Sequence, residues 1–299
     1  LRHLKILRII KFFKNNYNHF IYHMDLSIEK TINYEASIVN LISNRRLLNT
    51  IEELINATPD KIDFNIATYW STSYAAVLSA KGIPIYFAQH FEEIFYKDTH
   101  ENLMLRNLCR GSYTLPIKII CNSSWLSNLL KENLNIKTEF SNNAIDINDF
   151  NIAPKLSKTD GIFRVITFTR PEPWKGFQDA FIAIKKFASE IDLPFEWNVF
   201  GYKPKNWDLF TEIPKNLNLK FHSGLSFKEL SLLYAQCDVA YCPSWFESFP
   251  LPPLEAMASG TAVITTRYGT EDYCFNEVNS LVIKPKNFDE AKNALINKD

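Results

Sequence analysis

Two short stretches combine residue types suited to a charged sugar derivative. The first is Pro243-Ser244-Trp245-Phe246-Glu247-Ser248-Phe249-Pro250-Leu251-Pro252-Pro253-Leu254-Glu255-Ala256-Met257-Ala258-Ser259-Gly260. It follows the strand-like run Asp238 to Cys242 and holds two carboxylates, Glu247 and Glu255, with seven residues between them. Pro253 favours a helix start and Gly260 a helix stop, which puts Glu255 in the first helical turn and Glu247 on the loop before it. A helix start suits an anion, and carboxylates accept hydrogen bonds from sugar hydroxyls. Together they describe a sugar joined to a phosphate. The alternative is that both glutamates merely cap or solvate a helix.

The second stretch, Phe168-Thr169-Arg170-Pro171-Glu172-Pro173-Trp174-Lys175-Gly176, also lies between an apolar run and a helical pattern. The Arg170 guanidinium can fork two phosphate oxygens and the Lys175 ammonium can act as a mobile point charge, so the pair can hold a diphosphate. A solvated surface pair is the other reading. His90 follows a strand-like run and precedes an aromatic and acidic loop. It is placed either to take or orient an acceptor proton or to bond the backbone. Tyr69, Trp70 and Tyr74 can stack on a sugar or a base, or fill a core.

The elements that position these residues read as repeated βαβ units. In the second half, runs at Phe163 to Phe168, Phe195 to Phe200, Val239 to Cys242 and Ala262 to Thr266 read as strands. Helical patterns lie between them at Phe177 to Ala188, Phe227 to Gln236 and Pro253 to Ser259. Short apolar runs separated by helices predict a parallel sheet buried on both faces. The first half repeats the rhythm more faintly, with strands at Ile62 to Thr68, Pro84 to His90, Lys118 to Ser123 and Thr138 to Asn142, and a helix over Ser124 to Leu134. The polar, breaker-rich segment at 151–161 predicts a boundary between domains at 1–153 and 161–299.

Composition narrows the function. The chain has 299 residues, 46% hydrophobic and 22% charged, enough for two folded domains. Its 33 basic and 33 acidic residues leave no net charge, so no nucleic acid partner is expected. Five cysteines, an odd number with no C-x-x-C pair, fit a reducing cytoplasmic compartment. There is no G-x-G, no P-loop, no G-x-S-x-G, and no D-x-D, H-x-H or H-E-x-x-H. Dinucleotide enzymes, P-loop enzymes and serine hydrolases drop out, and no metal site is expected. Residues 1–14 carry Arg2, Lys5, Arg8, Lys11 and Lys14 opposite Ile6, Leu7, Ile9, Ile10 and Phe13. This basic amphipathic pattern suits peripheral contact with the inner face of a membrane, or packing on the chain's own sheet. The first residue is Leu1, and residues 1–81 hold no glycine, so the N-terminal domain is expected to be incomplete.

In combination these motifs resemble the retaining family 4 glycosyltransferases of the GT-B fold. Arg170, Lys175-Gly176, Pro243-Ser244, the Glu247 to Glu255 spacing and Glu255-Ala256-Met257-Ala258-Ser259-Gly260 occur in the family's order, as does Asn143-Ala144-Ile145-Asp146 with Phe150. The stretches Ala67 to Tyr74 and Tyr86 to Glu92 resemble bacterial rhamnosyltransferases within it. The resemblance implies two Rossmann-like doubly wound α/β domains facing across a cleft. It also implies hexose transfer, with rhamnose suggested, from a nucleoside-diphosphate sugar to a glycan or lipid-linked acceptor, with retention. Arg170 and Lys175 would bind the diphosphate in place of a metal, so no cofactor is implied. Glu255 would bind the ribose, and Glu247 would lie close to the transferred sugar. Tyr69, Trp70, Ser71, His90 and Glu92 would meet the acceptor, with His90 catalytic.

This chain departs from the pattern at Pro250, where the family often has glycine. With Pro252 and Pro253 this leaves Ser248, Phe249 and Leu251 as N–H donors to the donor phosphate. A different class also fits these motifs: a non-catalytic GT-B-like subunit that binds a glycan or scaffolds polysaccharide assembly. An epimerase or phosphorylase sharing the fold is a third reading.

Overall fold

The structure is a computed structural model and describes residues 45–151, 160–204, 207 and 213–296. The basic segment 1–14 and most of the boundary segment lie outside the described residues. The chain divides into two compact units, one comprising Leu1–Asn122 and Leu126–Ser141, the other Ser123–Trp125 and Asn142–Asp299. The Asn143-Ala144-Ile145-Asp146 motif therefore groups with the second unit.

The first unit runs α1 (Arg45–Ala57), β1 (Phe64–Ala67), α2 (Trp70–Leu78), β2 (Ile83–Ala88), α3 (Leu103–Ser112), β3 (Lys118–Cys121), α4 (Ser124–Leu134) and β4 (Glu139–Phe140). Its sheet has the order β1-β2-β3-β4 and every pairing is parallel. Successive crossovers step in one direction, and right-handed connections then place their helices on one face. That face buries Ala67, Tyr86, Ala88 and Cys121, while Phe64, Ile66 and Ile83, which alternate with them, stay exposed. The four strand-like runs and the helix expected over Ser124 to Leu134 are all present.

The second unit runs β5 (Phe163–Thr169), α5 (Phe177–Glu190), β6 (Phe195–Gly201), β7 (Leu217–His222), α6 (Phe227–Gln236), β8 (Val239–Cys242), α7 (Leu251–Ala258), β9 (Ala262–Thr266), β10 (Leu281–Ile283) and α8 (Phe288–Ile296). Its parallel sheet has the order β10-β9-β8-β5-β6-β7. From β5 the chain steps outward to β6 and β7, then returns to β8 on the other side of β5. The strand order reverses there, and in an open α/β sheet this is where ligands bind, at the carboxyl ends. One core packs Ile184 and Phe187 of α5 and Ala291 and Leu295 of α8 with Val165 and Trp197 of the sheet; the other packs Phe150, Ile166, Leu230, Tyr234 and Ala256.

Two strands escape the sequence reading for a physical reason. β7 is an edge strand whose Leu217, Leu219 and Phe221 alternate with Asn218, Lys220 and His222, a half-buried pattern that a search for unbroken apolar runs passes over. β10 is an edge of three residues, with no period to detect.

One expectation is corrected. α7 begins at Leu251, not near Pro253, so Glu255 is its fifth residue and no acid stands in the first turn. Prolines at the second and third positions are tolerated because first-turn N–H groups have no partner inside the helix.

Candidate functional site

In the second unit the loops after β5, β8 and β9 are stitched together by backbone contacts. Gly176, which links a 3-10 turn at Pro173–Lys175 to α5, has φ +74°. A Cβ there would sit 2.2 Å from the Pro243 carbonyl oxygen, so the loop after β5 lies directly against the loop after β8. The Trp245 N–H donates to the Trp174 carbonyl at 2.7 Å, which joins the same two loops again. On the β9 side, Gly269 has φ +90° and its Cβ would meet the Glu247 carbonyl oxygen at 2.1 Å. The Glu247 N–H donates to the Tyr268 carbonyl at 3.2 Å.

The stitching brings together two residues 72 positions apart: the Lys175 Nζ donates to the Glu247 Oε1 at 2.5 Å. Both side chains are largely buried, at 22% and 11% exposure, so the pair sits where charge interactions are little screened. Beside it the rings of Trp174 and Phe246 stack at 5.9 Å and 14°. Trp245 donates through Nε1 to Asp179 and carries the Lys286 ammonium 3.4 Å from its ring centroid.

Arg170 leaves the end of β5 differently. Its guanidinium carbon lies 5.5 Å from the Phe168 ring centroid and 5.2 Å from that of Tyr202. Glu255, on α7, accepts a hydrogen bond from the Tyr234 hydroxyl at 3.3 Å, and burial raises its pKa. Ser248 is 2% exposed, with its Oγ 3.3 Å from that of Ser123. Phe249 packs its ring 5.0 Å from Tyr273, and the Tyr273 hydroxyl donates to the Pro250 carbonyl. Leu251 opens α7.

The first unit also gathers its candidates at strand ends. Tyr69 and Trp70 follow β1, and His90 and Glu92 follow β2. Glu92 is 2% exposed. Its Oε2 accepts from the Trp70 N–H at 2.6 Å and from the Tyr86 hydroxyl at 2.9 Å, so a carboxylate caps the start of α2 from a distant loop. Burial pushes the Glu92 pKa up to about 7, against these two hydrogen bonds, which lower it. Trp70 is equally interior: its Nε1 donates to the Tyr96 hydroxyl at 3.0 Å and its ring meets Tyr74 edge-on at 6.4 Å. Tyr69 is 38% exposed, with its hydroxyl 3.3 Å from that of Tyr96. Ser71 is half-buried on α2. His90 is half-buried, its ring 4.9 Å from Phe95 and its carbonyl accepting from the Tyr113 hydroxyl.

The sequence reading passed over Tyr96, Tyr202 and Gly269. Tyr202 carried a usable signal, since it directly follows the carboxyl end of β6. Tyr96 carried none, because its partners lie 26 and 27 residues away.

Residues 149–297 match the family described as Glycosyl transferases group 1. The second unit belongs to that family. Within this glycosyl transferases group 1 unit lie Arg170, Lys175, Glu247 and Glu255. A curated relative, the MMP alpha-(1->4)-mannosyltransferase of Mycolicibacterium hassiacum, is 53% identical over 47 residues, which is 16% of this chain and 11% of that protein. The match thus spans about a ninth of the relative's length. Among solved structures, sucrose-phosphate synthase from Thermosynechococcus elongatus aligns with a TM-score of 0.68 at 14% identity, covering 85% of this chain and 69% of that one. The Anabaena protein HepE, solved with UDP and glucose, aligns with a TM-score of 0.65 at 18% identity, covering 83% and 70%. The fold is that of GT-B glycosyltransferases: two α/β units, each on a parallel sheet. Among the described residues no helix is long and apolar enough to cross a membrane.

Proposed function

We propose that this protein is a glycosyltransferase that moves a hexose from a nucleoside-diphosphate sugar to a hydroxyl of a glycan or lipid-linked acceptor, retaining the anomeric configuration. The observation that carries the reading is the Lys175–Glu247 pair at the point where the strand order of a glycosyl transferases group 1 unit reverses. The mannosyltransferase relative and a neighbour solved with UDP and glucose support this class of donor. Rhamnose is the sugar favoured by the resemblance of Ala67 to Tyr74 and Tyr86 to Glu92.

In this reading the diphosphate binds Arg170 and Lys175, and Lys175 then shares its charge between Glu247 and the phosphate. The bond between the anomeric carbon and the diphosphate oxygen breaks, and its electron pair leaves on the diphosphate. The two cations stabilise that growing charge without a metal. The acceptor oxygen attacks the same face through an oxocarbenium-like state, and its proton passes to the departing phosphate oxygen. Glu247 accepts hydroxyl hydrogen bonds from the transferred sugar, and Glu255 accepts them from the ribose. Ser248, Phe249 and Leu251 offer backbone N–H groups to the donor. The acceptor meets the first unit through Tyr69, Ser71 and His90, with Trp70 and Glu92 shaping the wall behind them. The five free cysteines fit a cytoplasmic site of action.

Replacing Arg170 or Lys175 by alanine is expected to lower turnover roughly 10²- to 10³-fold, the loss seen when one preorganised charge-stabilising donor is removed. Release of nucleoside diphosphate from a panel of sugar donors, with and without acceptor, measures it. Wild-type rates in both variants would remove the diphosphate assignment. No release from any donor would favour a non-catalytic glycan-binding subunit.

A further inference from the structure

Arg170 is held in an unusual way for a residue that must grip an anion. Its guanidinium carbon lies over two rings, 5.5 Å from the Phe168 centroid and 5.2 Å from that of Tyr202. A carboxylate partner would occupy its N–H donors, whereas a ring face attracts the cation and engages none of the five. The two rings therefore restrain the side chain and leave its donors available to a phosphate.

The two rings differ. Phe168 belongs to β5 and packs against Phe200 at 5.1 Å, so it is anchored in the sheet. Tyr202 is 58% exposed, and burial does not account for its position. What fixes it is backbone geometry. Gly201 has φ +113°, and a Cβ there would lie 2.4 Å from the Thr169 carbonyl oxygen. The Tyr202 N–H donates to that same carbonyl at 3.0 Å. The end of β6 is thus drawn against the end of β5, and this delivers the Tyr202 ring to the residue after Thr169. A free arginine carries about 2 kcal/mol of rotamer entropy, part of which contact with two rings removes before ligand arrives.

We infer that Tyr202 is a positioning residue that holds Arg170 in its diphosphate-binding conformation; the inference rests on the proposed role of Arg170. The ring, not the hydroxyl, does this.

Calorimetric binding of UDP, GDP and dTDP to the full chain tests it, using whichever binds wild type best. Tyr202→Ala and Tyr202→Leu should each weaken binding about 2- to 5-fold, the scale of one exposed cation–π contact. They should raise the donor KM more than they lower kcat, while Tyr202→Phe binds as wild type does. In an Arg170→Ala background, Tyr202→Ala should have no further effect. Wild-type affinity in Tyr202→Ala and Tyr202→Leu, with binding lost in Arg170→Ala, would overturn the positioning role and leave the Arg170 assignment standing. So would an additive loss in the double variant. Unchanged affinity in Arg170→Ala would instead overturn the Arg170 assignment, and the role of Tyr202 with it. Ligand-free melting curves separate a folding defect from a binding one.

Discussion

The Lys175–Glu247 pair is a buried contact between charges drawn from different strand ends, and its value is conditional. A pair taken out of water gains little net stability, yet removing one partner strands the other. Glu92 is the opposite case, an acid buried with no cation on it among the described residues. Two donors favour its ionised form, but burial outweighs them and its pKa rises from 4.5 to about 7. The folded state therefore holds that proton more tightly than the unfolded chain. The stability this contributes is full below about pH 4.5, falls as pH rises through the interval, and is gone above about 7. The difference amounts to about 3 kcal/mol. Urea unfolding at pH 5 and pH 8 should show Glu92→Gln losing less stability than wild type as pH rises, since an amide oxygen still accepts from Trp70 and Tyr86. Parallel pH profiles for the two proteins would refute the assignment. That Arg170, Lys175 and Glu247 stand in loops beyond strand ends was legible in the sequence because each lies a short way past an apolar run. The interior roles of Glu92 and Trp70 were not, since the carboxylate that caps α2 comes from another loop.

Among elements, the loops matter more than the helices they lead into, because backbone is pressed on backbone at the site. Gly176 combines a left-handed φ of +74° with a Cβ position 2.2 Å from the Pro243 carbonyl, whereas Gly161 has φ +68° and nothing within 4 Å. The first position faces a collision as well as strain; the second faces strain alone. Gly161→Ala should cost about 1 kcal/mol, and Gly176→Ala at least about 2, with donor binding weakened as Lys175 moves off Glu247. Equal stability losses in denaturant unfolding, or unaltered donor affinity in Gly176→Ala, would show that the loop can yield. A lysine and glycine after an apolar run told where this turn lies, but not what it presses on. The same limit explains α7. Proline marked its beginning, while the offset of two residues, which moves Glu255 into the second turn, depends on how many prolines one first turn tolerates. β7 was missed because its apolar residues alternate with polar ones and form no unbroken run, and β10 because three residues carry no period.

At the scale of the whole chain, each unit has its own parallel sheet, and among the described residues the buried cores of the second lie between Phe150 and Leu295, with Ile145 packed against one of them. The residues assigned to the donor lie inside the same unit. A domain with a complete core and its own binding residues is expected to fold and bind by itself. A fragment spanning Asn142 to Asp299 should unfold in one cooperative transition. It should bind the preferred nucleoside diphosphate within about threefold of the full chain, a difference of less than 1 kcal/mol. It lacks Ser123–Trp125, and with them the hydroxyl pair of Ser248 and Ser123 at 3.3 Å and the Ser124 N–H donated to Asp272 at 2.9 Å, neither of which engages a group assigned to the donor. Transfer to an acceptor should vanish in the fragment, because Tyr69, Ser71 and His90 lie in the first unit. Calorimetry on the fragment and a transfer assay on both proteins check the two halves of this expectation. A fragment that folds cooperatively yet binds no nucleotide would mean that the donor needs groups outside Asn142 to Asp299, and Arg170, Lys175, Glu247 and Glu255 would then be an insufficient set.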